Sequence, residues 1–116
     1  MMCQSLRAKC EASCSNKRSY GAIAYSVPDE GFGWSNGWDY QDQAEKTALA
    51  NCSQNGTKCE IVVWFYNSCG AVAADGKIVT WGQDSNKGKA EQSALDECVK
   101  KGGSKCEMIV SRCSVD

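Results

Sequence analysis

Ala44-Glu45-Lys46-Thr47-Ala48-Leu49-Ala50-Asn51-Cys52 and Ala90-Glu91-Gln92-Ser93-Ala94-Leu95-Asp96-Glu97-Cys98 read as one segment written twice. In both, the alanines, the leucine and the cysteine recur at the spacing of one helix face. Alanine on that face lets a helix lie close to a sheet. Working outward, Gly21-Ala22-Ile23-Ala24 returns as Gly70-Ala71-Val72-Ala73, and Lys58-Cys59-Glu60-Ile61-Val62 returns as Lys105-Cys106-Glu107-Met108-Ile109. Trp34 and Trp81 stand ahead of the helical segment in each copy, 47 residues apart. Matching blocks in a kept order at a near-constant offset are the mark of an internal repeat.

Each copy reads strand, loop, helix, strand. Residues 20–26 and 70–74 are small and apolar, and residues 59–66 and 106–111 are rich in Ile and Val, which suits strands. Asp75-Gly76-Lys77 marks a two-residue hairpin within 70–82. Pro28-Asp29-Glu30-Gly31 marks a longer turn that pairs Ile23–Ser26 with Phe32–Trp34. Asp39 or Asp42 is placed to cap the first helix, and Ser85 or Asn86 the second. Neither unit can bury a sheet face alone, so the two are expected to pack around a pseudo-two-fold axis. The expected fold is therefore α+β, with two pseudo-symmetric strand-loop-helix-strand repeats packed as one disulfide-stapled domain. Its parts are an N-terminal Cys-containing extension (1–19), repeat 1 (20–69), repeat 2 (70–113) and a tail (114–116).

The 116 residues are 42% hydrophobic and 23% charged with a net charge of −1, so there is no basic surplus to attract nucleic acid or anionic membrane. The longest apolar run, Ile61 to Tyr66, has the length of a strand and not of a membrane span. Nine cysteines and no histidine set the chain apart. The cysteines point to an oxidising compartment, secreted or periplasmic, and to an export signal already removed. The missing histidine takes away the commonest general base and metal ligand.

By the repeat, Cys52 and Cys59 occupy the places of Cys98 and Cys106, at the end of the helix and the start of the next strand. Bridges Cys52–Cys59 and Cys98–Cys106 follow from that short helix-to-strand return. Cys69 and Cys113, each just after its copy's final strand, are the candidates to link the two halves. One pair and one free thiol are expected among Cys3, Cys10 and Cys14, with Cys3 a candidate for lipid modification or for a disulfide to a second copy. Only Cys10-x3-Cys14 approaches zinc-ligand spacing, and the expectation is no metal and no cofactor.

Without histidine, Ser-His and Cys-His dyads are excluded, and oxidised cysteines are not nucleophiles. Carboxylates Asp29, Glu30, Asp39 and Asp42 keep a small hydrolase open as an alternative, although acids in turns and caps are more often solvated; no catalytic residue is assigned. The segment Phe32-Gly33-Trp34-Ser35-Asn36-Gly37-Trp38-Asp39-Tyr40 interleaves aromatics with small polar residues, as binding surfaces do. Trp34 and Trp81, which match each other, are read as core. Trp38 and Tyr40 have no counterpart, and Trp64 and Phe65 stand where the second copy has Ser111 and Arg112. The expected partner surface is Trp38, Tyr40 and Phe65, with Asn36 beside them. The functional expectation is an exported protein-binding module or effector that engages another protein, host target or partner enzyme, without catalysis; a periplasmic inhibitor or immunity protein is the second reading.

Tyr20-Gly21-Ala22-Ile23-Ala24-Tyr25-Ser26, Gly33-Trp34, Ala44-Glu45 through Cys52, Cys59-Glu60-Ile61-Val62-Val63-Trp64-Phe65 and Asn67-Ser68-Cys69-Gly70-Ala71-Val72-Ala73 together resemble the bacterial secreted family called domain of unknown function 4189. Trp81-Gly82, Ala90-Glu91, Cys106 and Cys113 continue the resemblance across residues 20–113. It implies export behind a signal peptide, a disulfide-bonded repeat fold and, through mycobacterial members that look like secreted effectors, action on a host cell. It brings no catalytic residues, and it does not include the segment carrying Cys3, Cys10 and Cys14. In a bacterial chain the sequons Asn51-Cys52-Ser53 and Asn55-Gly56-Thr57 read as chance matches.

Overall fold

The structure, a computed structural model, describes residues 19–115. The elements run β1 (Tyr20–Ser26), β2 (Gly31–Trp38), α1 (Gln41–Cys52), β3 (Glu60–Tyr66), β4 (Cys69–Asp75), β5 (Ile78–Asp84), α2 (Lys87–Lys100) and β6 (Glu107–Cys113). They form two antiparallel three-stranded sheets, ordered β2-β1-β3 and β5-β4-β6. The fold is α+β. The bridges Cys52–Cys59, Cys98–Cys106 and Cys69–Cys113 are all formed. The readings placed on Cys3, Cys10 and Cys14 lie outside the described residues.

Layering follows from side-chain alternation along β1 and β4. Successive residues of a strand face opposite ways, so in Ala22-Ile23-Ala24 the two alanines point one way and the isoleucine the other. Ala22 and Ala24 pack on Ala44, Ala48 and Cys52 of α1. Ala71 and Ala73 pack on Ala90, Ala94 and Cys98 of α2. Ile23 and Val72 instead meet Val63, Phe65 and Val110 between the two sheets. The order of layers is helix, sheet, sheet, helix. Each fully buried large side chain of the central layer contributes about 1.5–3 kcal/mol of transfer free energy. The alanine layers contribute less and are reinforced by the helix-to-strand disulfides.

Glycine sets how closely each helix approaches. A Cβ on Gly33 would fall 2.2 Å from the Cys52 amide nitrogen, and one on Gly82 would fall 2.2 Å from the Ala90 carbonyl oxygen. The neighbouring helix-facing position carries a hydroxyl: Ser35 Oγ donates to the Ala44 carbonyl and Thr80 Oγ1 to the Ala94 carbonyl. Gly33-Trp34-Ser35 and Thr80-Trp81-Gly82 thus make the same kind of contact with the order of glycine and hydroxyl reversed about the tryptophan. The tryptophans keep equivalent register, Trp34 opposite Ile23 and Trp81 opposite Val72.

The hairpins form as expected, with Gly76 at φ +61 in the two-residue β4–β5 turn and Tyr25 opposite Phe32 across the longer β1–β2 turn. Both turns are tied by an aspartate to the loop that follows a helix. Asp29 accepts from Ser26 Oγ and the Thr57 amide, and Asp75 accepts from the Ser104 and Lys105 amides. At the opposite end of the sheets, Asn67 and Ser68 join β3 to β4, and Ser19 and Ser114 close around them. Ser19 Oγ donates to the Ser114 carbonyl, the Ser68 amide donates to Ser114 Oγ, and the Ser114 amide donates to the Ser68 carbonyl.

Several expectations change here. Cys69 and Cys113 are paired directly across β4 and β6, so the expected bridge forms within the second sheet, with Cys69, the last residue of the first repeat as bounded, opening β4. Phe65 is fully buried and belongs to no surface. Its ring fills a slot between Gly21 and Gly70, where added Cβ atoms would lie 2.3 Å and 2.5 Å from it. Trp81, expected in the core beside Trp34, is 49% exposed. Trp34 is half-buried because the Arg112 guanidinium lies over its ring, 4.3 Å from the centroid. The cap of α1 is neither Asp39 nor Asp42 but Tyr40, which makes no side-chain capping bond; Asn86 caps α2 and accepts from the Lys89 amide.

Candidate functional site

Strand β2 runs past the start of α1, and the aromatic residues gather there. Tyr20 is paired with Trp38 on one side and with Tyr66 on the other, while Trp64 is paired with Ala22. Paired residues share a face of a sheet, and Ala22 faces α1, so all four aromatics project on the α1 side. Tyr20 lies 4.8 Å from Tyr66 and 6.1 Å from Trp64 between ring centroids. Both separations fall within the range of favourable tilted aromatic pairs. Trp38 is 37% exposed, Trp64 and Tyr66 41%, and Tyr40, at the adjoining helix start, 56%. Tyr20 packs inward on the α1 alanines and supports the others.

Of the residues expected at a partner surface, Trp38 lies on this face and Tyr40 stands at the start of α1. Phe65 is in the core, as described above. Asn36 donates through Nδ2 to the Cys113 carbonyl and so ties β2 to β6. The structure adds Tyr20, Trp64 and Tyr66, which the sequence reading did not bring together with Trp38. A signal for them exists: where Tyr20 pairs with Tyr66 in the first sheet, Cys69 pairs with Cys113 in the second, and Trp64 corresponds to Ser111.

A groove of about 440 Å³ runs along the outer edge of β2. Phe32, Trp34 and Trp38 are its aromatic lining. Thr47, Asn51, Gln54 and Asn55 line it from α1 and the following loop. Asn51 Nδ2 donates to the Trp34 carbonyl, and Asn55 Oδ1 accepts from the Phe32 amide. The asparagines of the two chance sequons therefore hold the edge of the sheet.

Hydrogen bonds from Ser26 and Thr57 hold Asp29 below the ordinary carboxylate range, and the Lys105 and Ser104 amides do the same for Asp75. A general acid needs the opposite shift. Tyr25, near the Asp29 turn, is pushed up by burial and then by the charge of Glu30. Among the described residues no three His, Cys, Asp or Glu side chains converge as metal ligands, and no helix is long and apolar enough to cross a membrane.

Fold and site thus define a small disulfide-stapled α+β domain that displays an aromatic face beside a polar edge groove. Residues 20–113 match the family model described as Domain of unknown function (DUF4189), and the chain belongs to that family. It is also similar to the NMR structure of Rv1813c from Mycobacterium tuberculosis, at 27% identity and a TM-score of 0.56, over 82% of this chain and 74% of that one. No curated protein sequence matches it.

Proposed function

We propose that the protein is an exported, non-catalytic binding module, working in a secreted or periplasmic setting and engaging another protein through Trp38, Tyr40, Trp64 and Tyr66. We read its two halves as copies of one unit, of which the first has specialised for recognition. The observation that carries this is the exposure of Trp38, Trp64 and Tyr66 on one face of the first sheet, with Tyr40 exposed at the start of α1. Rigid aromatic side chains lose little conformational entropy when they are buried by a partner, which is why they dominate interface energetics. Three disulfides support export.

The test is affinity capture from periplasmic and host-cell extracts with the oxidised protein, in parallel with a Trp64→Ala/Tyr66→Ala variant and a Tyr40→Ala variant. A partner held by the wild type and lost by both variants, with the thermal midpoint of each preserved, is the expected result. Retention of every captured protein by both variants would overturn the proposal.

A further inference from the structure

We propose that the groove along the outer edge of β2, which adjoins the aromatic face at Trp38 and differs from it in its polar lining, is a second site that binds a neutral oligosaccharide. Its volume of about 440 Å³ lies within the range of small-ligand sites. Its aromatic lining is Phe32 and Trp34, on the face of β2 turned away from α1, and Trp38 on the α1 face, and the apolar face of a pyranose ring can rest on an aromatic ring of this kind. The lining from α1 and the following loop offers amides and a hydroxyl, which match sugar hydroxyls because each of those both donates and accepts. Among the described residues, no Lys, Arg, Asp or Glu lines the groove, and the Arg112 guanidinium is engaged on the Trp34 ring. A phosphorylated, sulfated or carboxylated ligand would find no counter-charge among these lining residues, and a cationic one would find no carboxylate among them.

The polar groups are also held in place. The Asn51 amide is pinned through Nδ2 to the Trp34 carbonyl, which fixes the direction of Oδ1. The Asn55 amide is pinned through Oδ1 to the Phe32 amide, which fixes the direction of Nδ2. One acceptor and one donor are thereby pre-oriented along the groove, and Arg112 clamps the Trp34 ring from the sheet interior. Pre-orientation of this kind reduces the ordering cost of binding. The same two bonds argue against an extended peptide as the occupant. Strand addition needs the free main-chain groups of an edge, and two of those on β2 are already taken by side chains.

The experiment is an NMR titration of the oxidised, uniformly ¹⁵N-labelled protein with maltotriose, cellotriose and tri-N-acetylchitotriose, with sialyllactose as the charged comparison. At least one neutral trisaccharide is expected to give saturable shifts, confined to residues 32–38 and 47–55, at low-millimolar concentration, roughly the affinity of a few hydrogen bonds and one stacked ring. Gln54→Ala should weaken it by roughly fivefold or more, and Thr47→Arg should abolish it by filling the groove. Trp64→Ala/Tyr66→Ala should leave it unchanged, which separates this site from the protein-binding face. No saturable shift with any neutral trisaccharide, shifts mapping elsewhere, or a response indifferent to Gln54→Ala and Thr47→Arg would each overturn the proposal. So would tighter binding of sialyllactose.

Discussion

Gly70→Ala, made with and without Phe65, tests the central layer. Phe65 is fully buried, and the atoms nearest to a Cβ on Gly70 all belong to its ring: Cδ1 at 2.5 Å, Cε1 at 2.8 Å and Cγ at 3.3 Å. Gly70 has no positive φ, so its backbone accepts alanine and the ring is the obstacle. Overpacking of this kind costs about 1–3 kcal/mol, which for a domain of this size lowers Tm by about 4–8 °C per kcal/mol. Phe65→Ala alone should cost about 3–5 kcal/mol. With the ring removed, the same Gly70→Ala change should become stabilising by about 0.4–1 kcal/mol, because alanine restricts the unfolded chain. The two mutations are therefore coupled by about 1.5–4 kcal/mol. Guanidinium unfolding of the four proteins under non-reducing conditions measures this, with Phe65→Leu substituted should Phe65→Ala leave too little folded protein. If Gly70→Ala costs the same in both backgrounds, the slot does not exist. If Phe65→Ala changes stability by less than about 0.5 kcal/mol, the side chain lies on the surface.

Acid should loosen the turns through Asp29 and Asp75. Both folded-state pKa values lie below the ordinary 3.8, so their stabilisation is present above the unfolded pKa and is lost as pH falls through the lowered folded values. Urea midpoints recorded from neutral pH down to acid should therefore fall less steeply for Asp29→Asn and Asp75→Asn than for the wild type, and an unchanged slope would show that these bonds contribute nothing. Among the disulfides, removing Cys69–Cys113 as a double alanine variant should cost most. Its sequence separation is 44, against 7 and 8 for the helix-to-strand bridges. Chain entropy then gives about 4 kcal/mol against about 2.5. Chemical denaturation of the three double variants orders them, and a costlier loss of Cys52–Cys59 would indicate that packing beneath α1 outweighs loop closure.

The element order, both hairpins, the helix faces and the two helix-to-strand bridges were legible because each depends on local spacing or turn residues, and Cys69–Cys113 because these two cysteines follow corresponding strands of the matching blocks. What stayed hidden depends on contacts between distant strands. Ile61 to Tyr66 is apolar at every position, so alternation could not say which of Trp64, Phe65 and Tyr66 turns inward; Gly21 and Gly70, which make the slot for Phe65, lie 44 and 5 residues away in sequence. Trp81 was expected to share the environment of Trp34, yet the cover over Trp34 is Arg112, and the residue corresponding to Arg112 is Phe65, committed to that slot. Asn51 and Asn55 looked like chance sequons because their partners, the Trp34 carbonyl and the Phe32 amide, belong to a strand edge that exists only after folding.

Where the two halves make the same structural contact by the same or interchangeable means, the fold requires it: alanine helix faces, glycine and hydroxyl beneath each helix, an aspartate at each turn. Where they differ, the requirement is weaker, and the differences share one direction. The second sheet pairs Cys69 with Cys113 in a disulfide, where the first pairs Tyr20 with Tyr66. Ser111 donates to Glu91, where the first half has Trp64. Asn86 caps α2, while Tyr40 stands uncapping at α1. A cap contributes about 1 kcal/mol and a net hydrogen bond about 1, with the disulfide adding more. At three corresponding places the first half thus forgoes a stabilising device and carries aromatics instead, Trp64, Tyr66 and Tyr40 each exposed by two-fifths or more. Exposed aromatics at the places where the second sheet carries a disulfide, a hydrogen bond and a cap are what the proposed recognition surface requires.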